Sequence, residues 1–306
     1  MRQEQTPFIA RHPIFKHPLP EGHRFPMLKY ELLPEKLLLE GVITKSDFFT
    51  PEPLHRKFLK GIHDADYVEK LFSLSLEQDE IRRIGLPLSE ALMDRELTIA
   101  CGTVKAAKAA LKRGIGFNIA GGTHHAGTNW GEGFCLLNDQ AVAAGYLLNQ
   151  IGLKRILIID LDVHQGNGTA DIFKNEDRVF TFSMHGENNF PFKKERSDWD
   201  VGLPDETGGA EYLQVLAKKL NELYTRSRPD FVFYQAGADV LETDKLGRLN
   251  LSIEDCRQRD MLVFQFCKKW QLPVQVSMGG GYSANIKDIV QAHSNTYKAG
   301  ISALLK

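Results

Sequence analysis

Cysteine is scarce in this chain, and its four copies (Cys101, Cys135, Cys256, Cys267) never form a C-x-x-C pair. A disulfide framework is therefore not expected, and a reducing compartment is. Long apolar runs are absent too. No stretch approaches the roughly 20 residues a membrane span needs. The opening MRQEQTPFIARHPIFKHPLP lacks the apolar core of a secretory leader. Charge of one sign is missing: 38 basic residues face 39 acidic ones, for a formal net charge of −1. Bulk charge therefore argues neither for nucleic acid nor for an anionic membrane. The basic grouping of Lys193, Lys194 and Arg196 is too short for a nuclear address. Repeats, low complexity and a linker are also lacking. The expectation is a cytoplasmic chain with one domain over 1–306.

What is present is an ordinary globular composition, 42% apolar and 25% charged over 306 residues, enough for a sizeable core. Residues 1–27 are rich in Pro and His and read as an irregular lead-in. Helical spacing follows over 27–40, broken by Pro34, and again over 54–74. A loop is expected over 82–88. Further helices are expected over 89–112, 137–151, 169–173, 209–227, 253–270 and 285–305. Strands are expected over 115–120, from 155 into the polar turn at 160, and over 179–183, 230–236 and 273–278. Residues 187–209 read as a long irregular stretch, and loops of that length are usually functional or mobile. Alternation of strand and helix argues for an α/β fold, a doubly wound and mostly parallel sheet with right-handed crossovers.

The chain is organised around residues 155–169, RILIIDLDVHQGNGT. The apolar start is that of a strand buried on both faces. It ends abruptly in Asp160, Asp162 and His164. Burying unpaired carboxylates costs several kcal/mol, so this turn calls for a cation or strong hydrogen bonds. Asp162 and His164 are two apart and leave an extended strand on one face. Carboxylate beside imidazole suits a divalent metal, zinc first. Asp160 is available to support a neighbouring ligand. The other polar clusters, His124-His125, Ser183-His185, Asp239 and Gly281-Tyr282, also lie just past expected strand ends, the edge where open α/β sheets bind ligands. Asp239 is the best third ligand, since Gly237 lets its turn pack closely. His124 and His125 could be ligands, a proton-transfer pair or packed core histidines.

Five motifs in order, GGTHHAG (121–127), GFCLLND (133–139), DLDVHQGNGT (160–169), QAGADVLETDKLG (235–247) and GGGY (279–282), resemble the histone deacetylase family of the arginase-deacetylase fold. The likeness begins at HDADYV (63–68) and spans most of the chain. NIAGGTHHA and DKLGRLNLS look most like the class IV branch and its bacterial relatives. The resemblance implies a three-layer αβα domain with about eight strands. It implies a zinc site (Fe²⁺ as the alternative) held by Asp162, His164 and Asp239. His125 would be general base and then acid, with His124 as its electrostatic neighbour, oriented by Asp160. Tyr282 would donate to the developing oxyanion, and Gly133, Phe134 and Gly280 would line the acyl-lysine channel. A structural K⁺ would sit on Asp160, Asp162, His164, Ser183 and Met184, with a second site at Phe173 and Val179.

Two departures stand out. Asn167 replaces an Asp that some relatives pair with the second histidine, which should leave His125 neutral to lower pH. The aspartate that many relatives use at the channel rim has no counterpart in IGLPLSEAL (84–92), and the partner of Phe134 across the channel is not identifiable. The reading is a zinc-dependent lysine deacylase acting on an acylated protein or peptide. A deacetylase of small acylated amines such as acetylpolyamines is the alternative, favoured if acidic residues rim the mouth over 79–90 or 187–209. An inactive acyl-lysine reader and a two-metal arginase fit the motifs less well.

Overall fold

A computed structural model describes residues 6–305, so the first five residues of the lead-in lie outside the described chain. Eight strands form one sheet. They are β1 (Ile9–Ala10), β2 (Phe48–Phe49), β3 (Ile115–Asn118), β4 (Ile156–Asp160), β5 (Val179–Gly186), β6 (Trp199–Leu203), β7 (Phe231–Ala236) and β8 (Val274–Met278). Their order is β2-β1-β3-β8-β7-β4-β5-β6, and every pairing is parallel.

Nine α-helices surround the sheet among the described residues: α1 (Lys29–Leu39), α2 (Ala65–Phe72), α3 (Gln78–Ile84), α4 (Glu90–Arg113), α5 (Asp139–Tyr146), α6 (Asn167–Phe173), α7 (Gly209–Ser227), α8 (Ile253–Lys269) and α9 (Ile286–Leu304). Side-chain alternation along the strands sorts the core into two layers. Leu157 and Ile159 of β4, with Val232 and Tyr234 of β7, pack with α1, α7, α8 and α9. Ile156, Ile158, Phe231 and Phe233 face α2, α4 and α5 on the other side. Burying each such side chain contributes about 1.5–3 kcal/mol, so the central strands anchor the sheet. The αβα domain expected from the resemblance is the one observed.

Local signals set the helix ends. Ser89 caps α4 by accepting the Leu92 N–H, and Gly114 stops it at φ +90°. Several expectations need correction. Pro34 lies inside α1 rather than breaking it, because the helix is held by the fully buried Leu33 and Leu37 on either side. Residues 54–74 are not one helix; a 3-10 turn at Arg56–Leu59 precedes α2, which starts where Asp64 accepts the Asp66 N–H. The loop expected from residue 82 is still α3, which ends at left-handed Gly85. The lead-in contains β1, inserted between β2 and β3, and the irregular stretch contains β6 at the sheet edge. Two-residue strands carry no periodicity to read. β6 alternates half-buried and exposed residues, as an edge strand with one covered face does.

No helix among the described residues is long and apolar enough to cross a membrane.

Candidate active site and metal centre

Strands β3, β8, β7 and β4 are consecutive neighbours, so the segments leaving their C-terminal ends converge. The turn after β4 carries Asp162 and His164, and the turn after β7 carries Asp239. Each offers one ligand atom, all within 4.8 Å of one another, and all three residues are buried. His164 Nδ1 lies 3.1 Å from Asp162 Oδ1 and 3.2 Å from Asp239 Oδ2. Backbone donors aim the carboxylates: Gly280 N–H to Asp162 Oδ2 at 2.9 Å, and Val163 N–H to Asp239 Oδ1 at 3.1 Å. Glycine at 280 is required, because a Cβ there would fall 1.7 Å from Asp239 Oδ2.

The electrostatics ask for a cation. Burial raises both carboxylates. At Asp162 the imidazoles of His124 and His164 outweigh that and hold it well below the usual range. At Asp239 burial and the Asp162 charge win and lift it to about 7. Burial works against charge on His164, yet the same two carboxylates lift it to about 10. Two carboxylates and one imidazole are a three-ligand set for zinc or iron that leaves a position open for chemistry. A divalent ion would neutralise this pair better than the His164 proton does and would displace it.

Asp160, although close in sequence, does not join this group. It accepts a hydrogen bond from His124 Nδ1 at 2.7 Å and from the Asp162 N–H at 3.1 Å. Burial pulls His124 downward, but Asp160 and Asp162 prevail and raise it to about 9. The adjacent His125 ring lies 4.1 Å away, centroid to centroid. Its Nδ1 donates to Asn167 Oδ1 at 2.7 Å, while Asn167 Nδ2 donates to Glu132 Oε1 at 2.6 Å. The Glu132 contact fixes which way the amide faces and therefore the imidazole tautomer. Nε2 is left as the basic nitrogen. Burial and the facing histidines keep His125 well below the ordinary value.

Tyr282 lines the same pocket as His125 and the three ligands. Asp244 holds its backbone N–H at 2.5 Å and also accepts from Leu246 and Gly247. Gly133 and Phe134 both have positive φ, +55° and +68°. Their N–H groups bond to the carbonyls of Arg83 and Ile84, which holds the Phe134 ring at the entrance. The missing wall is Phe190, whose ring lies 5.1 Å from His125. Lys194 fastens its loop by donating to the carbonyls of Glu187, Asn189 and Pro191 at 3.1, 2.6 and 2.7 Å. Residues 84–92 supply no rim carboxylate; Arg83, just before them, reaches the mouth instead.

Several site residues carried no sequence signal. Lys29 is fully buried, donates to Gly280 O at 2.9 Å, and is pulled by burial to about 8. With Tyr30 and Arg95 it lines the inner end of the pocket, about 40 Å³, that also holds the candidate ligands. Arg259 of α8 donates from Nη1 to Leu161 O at 3.2 Å and Gly237 O at 2.5 Å, gripping both ligand-bearing turns. Its partner Asp260 also accepts from Tyr234 and Thr296. Asp244 did lie inside a quoted motif, but its role became visible only here. Ser183 stands opposite Asp160 in the β4–β5 register and contacts His185 Nδ1 at 2.9 Å, with buried Met184 beside it. Phe173 and Val179 end α6 and start β5, joined through Glu176.

The fold and this candidate metal site narrow the class, and comparison with known proteins gives the family. Residues 23–297 match the histone deacetylase domain. An uncharacterized protein of Picosynechococcus sp. is 45% identical over 95% of this chain and 97% of its own length. Histone deacetylase 2 of Arabidopsis thaliana is 33% identical over 65% of this chain, which spans about half (53%) of that protein. A crystal structure of an HDAC homolog complexed with SAHA superposes with a TM-score of 0.82 at 26% identity, over 97% of this chain and 84% of that one. The chain belongs to the histone deacetylase family, whose reaction class is hydrolytic deacetylation.

Proposed function

We propose that this protein is a metal-dependent lysine deacylase that removes a short acyl group, acetyl foremost, from a polypeptide. The observation that carries the reading is the buried Asp162–His164–Asp239 triad sharing one pocket with His125 and Tyr282. The triad would hold zinc, with Fe²⁺ as the alternative. A bound ion would supply Lewis acidity, polarising the amide carbonyl and lowering the pKa of water toward about 7. His125 Nε2 accepts the proton from water and returns it to the leaving lysine amine. His124, raised by its carboxylates, keeps its neighbour neutral between these transfers. Tyr282 donates its hydroxyl to the developing oxyanion. Gly133, Phe134, Phe190 and Gly280 confine the lysine chain.

The inner cavity supports a small acyl group. The pocket of about 40 Å³ also has to take the ion and its water, which favours acetyl over a long chain. The mouth counts against a cationic polyamine, since its lining includes Arg24, Arg83 and Arg248 and no carboxylate. A structural K⁺ belongs to the proposal through the grouping of Asp160, Asp162, His164, Ser183 and Met184, with Phe173 and Val179 as the second position. The class IV likeness also rests on motifs. Four free, buried thiols support a reducing compartment such as the cytoplasm.

The test is chelator-sensitive amine release by the metal-loaded protein from an acetyl-lysine peptide, a long-chain acyl-lysine peptide and an acetylpolyamine. Turnover is expected on the first and little on the others. Activity confined to the polyamine, or none with metal bound, would overturn the reading.

A second prediction concerns Asn167. A carboxylate at that position would stabilise the protonated imidazole and raise the pKa of His125. The acidic limb of kcat/KM against pH is therefore expected to move to higher pH in Asn167→Asp. Movement to lower pH would contradict the assignment of His125 as base.

A further inference from the structure

Outside the catalytic pocket, the channel opens into a cavity of about 320 Å³ between Phe134 on one side and Phe190 and Phe192 on the other. Three arginines from separate segments reach it: Arg24 before α1, Arg83 in the last turn of α3, and Arg248 after β7. Arg248 is already paired with Asp205 at 3.1 Å. Arg24 and Arg83 are exposed and have no ion pair within contact distance among the described residues. Arg24 lies over the Phe134 ring, 5.1 Å from its centroid. Stacking of that kind orients a guanidinium while leaving its N–H edge free. The Arg83 main chain is fixed by its carbonyl, which accepts the Gly133 N–H at 3.1 Å. Its charge also acts on Glu132, but that carboxylate is engaged by Asn167. The Phe134 side of the mouth thus carries two exposed guanidinium groups outside any ion pair, Arg24 stacked on the ring and Arg83 rooted beside the Gly133 turn.

We propose, on the basis of the deacylase reading above, that this mouth selects acyl-lysines flanked by acidic residues, with Arg24 and Arg83 as the recognising groups. Adjacent residues of a peptide are about 3.8 Å apart. When the acyl-lysine fills the channel, the side chains before and after it lie over the rim. A flanking carboxylate meets a guanidinium fork there, whereas a flanking lysine or arginine meets like charge. Exposed pairs of this kind are modest, so the expected preference is about 5- to 10-fold in kcat/KM for two contacts.

The experiment compares three acetyl-lysine peptides of equal length bearing Glu, Ala or Lys on both sides of the modified residue, using metal-loaded protein at low salt. The expected order is Glu, then Ala, then Lys, expressed mainly in KM and compressed toward equality at about 0.5 M salt, where charges are screened within a few ångströms. The double variant Arg24→Glu, Arg83→Glu is expected to reverse the order. Should that variant not fold, Arg24→Gln and Arg83→Gln, each at an exposed position, should separately cut the preference about twofold or more. Equal rates on all three peptides, or a preference unchanged in these variants, would overturn the inference while leaving the deacylase reading intact. No turnover of any peptide, with turnover of a small acylated amine, would overturn both.

Discussion

Replacing Tyr282 with phenylalanine is expected to lower kcat on an acetyl-lysine peptide by about 10²–10³-fold, the usual cost of losing one oxyanion donor. Burial, and then the charges of Asp239 and Asp162, push the phenol pKa well above its ordinary value, so Tyr282 remains a neutral O–H donor throughout the working pH range. The substitution removes only that oxygen. The Tyr282 ring packs against Phe25 and Phe134, with centroids 6.0 Å away in both cases, and a phenyl ring preserves both contacts. The Asp244 bond is to the backbone and also survives. Metal content and melting temperature should therefore match the parent protein. Steady-state kinetics with metal analysis make the check. A fall of less than about threefold, or one confined to KM, would remove Tyr282 from transition-state stabilisation.

Arg259→Met is expected to destabilise the protein by about 3–5 kcal/mol, because removing one partner strands a buried charge on the other. Arg259 and Asp260 are both fully buried and bonded at 2.7 Å. The guanidinium also ties Leu161 O to Gly237 O, and these carbonyls precede the candidate ligands Asp162 and Asp239 in their turns. Weaker metal binding should accompany the loss of stability, since a site built on two turns depends on their relative position. Urea unfolding with and without bound metal measures both effects. The double variant Arg259→Met, Asp260→Asn should lose less than the sum of the two single changes, because it does not leave an unpaired charge. A single variant within about 1 kcal/mol of the parent, with unchanged metal affinity, would show that the network does not support the site.

Much of this chemistry was legible in the chain because its signal is local. The apolar run into Asp160, Asp162 and His164 announced a buried strand ending in groups that need compensation, and the structure places the last two in the ligand cluster. Gly237 marked a close approach, and it abuts the carboxylates of Asp162 and Asp239. Asp160 was read as support for a neighbouring side chain rather than as a member of the cluster. Its carboxylate does accept from His124 Nδ1, at 2.7 Å.

The sequence by itself determined the strand–helix alternation, the three candidate ligand residues and the histidine pair. Each of these follows from a period or a motif confined to a few neighbouring positions. Only the tertiary structure decided that Ile9–Ala10 and Phe48–Phe49 belong to the sheet, that Phe190 faces Phe134 across the mouth, and that Lys29 and Arg259 are buried behind the site. A lysine or arginine in an amphipathic helix has the same local sequence whether it meets solvent or a backbone carbonyl. What separates those fates is which distant segment packs over it, and parallel crossovers bring together residues far apart in the chain, such as Lys29 and Gly280.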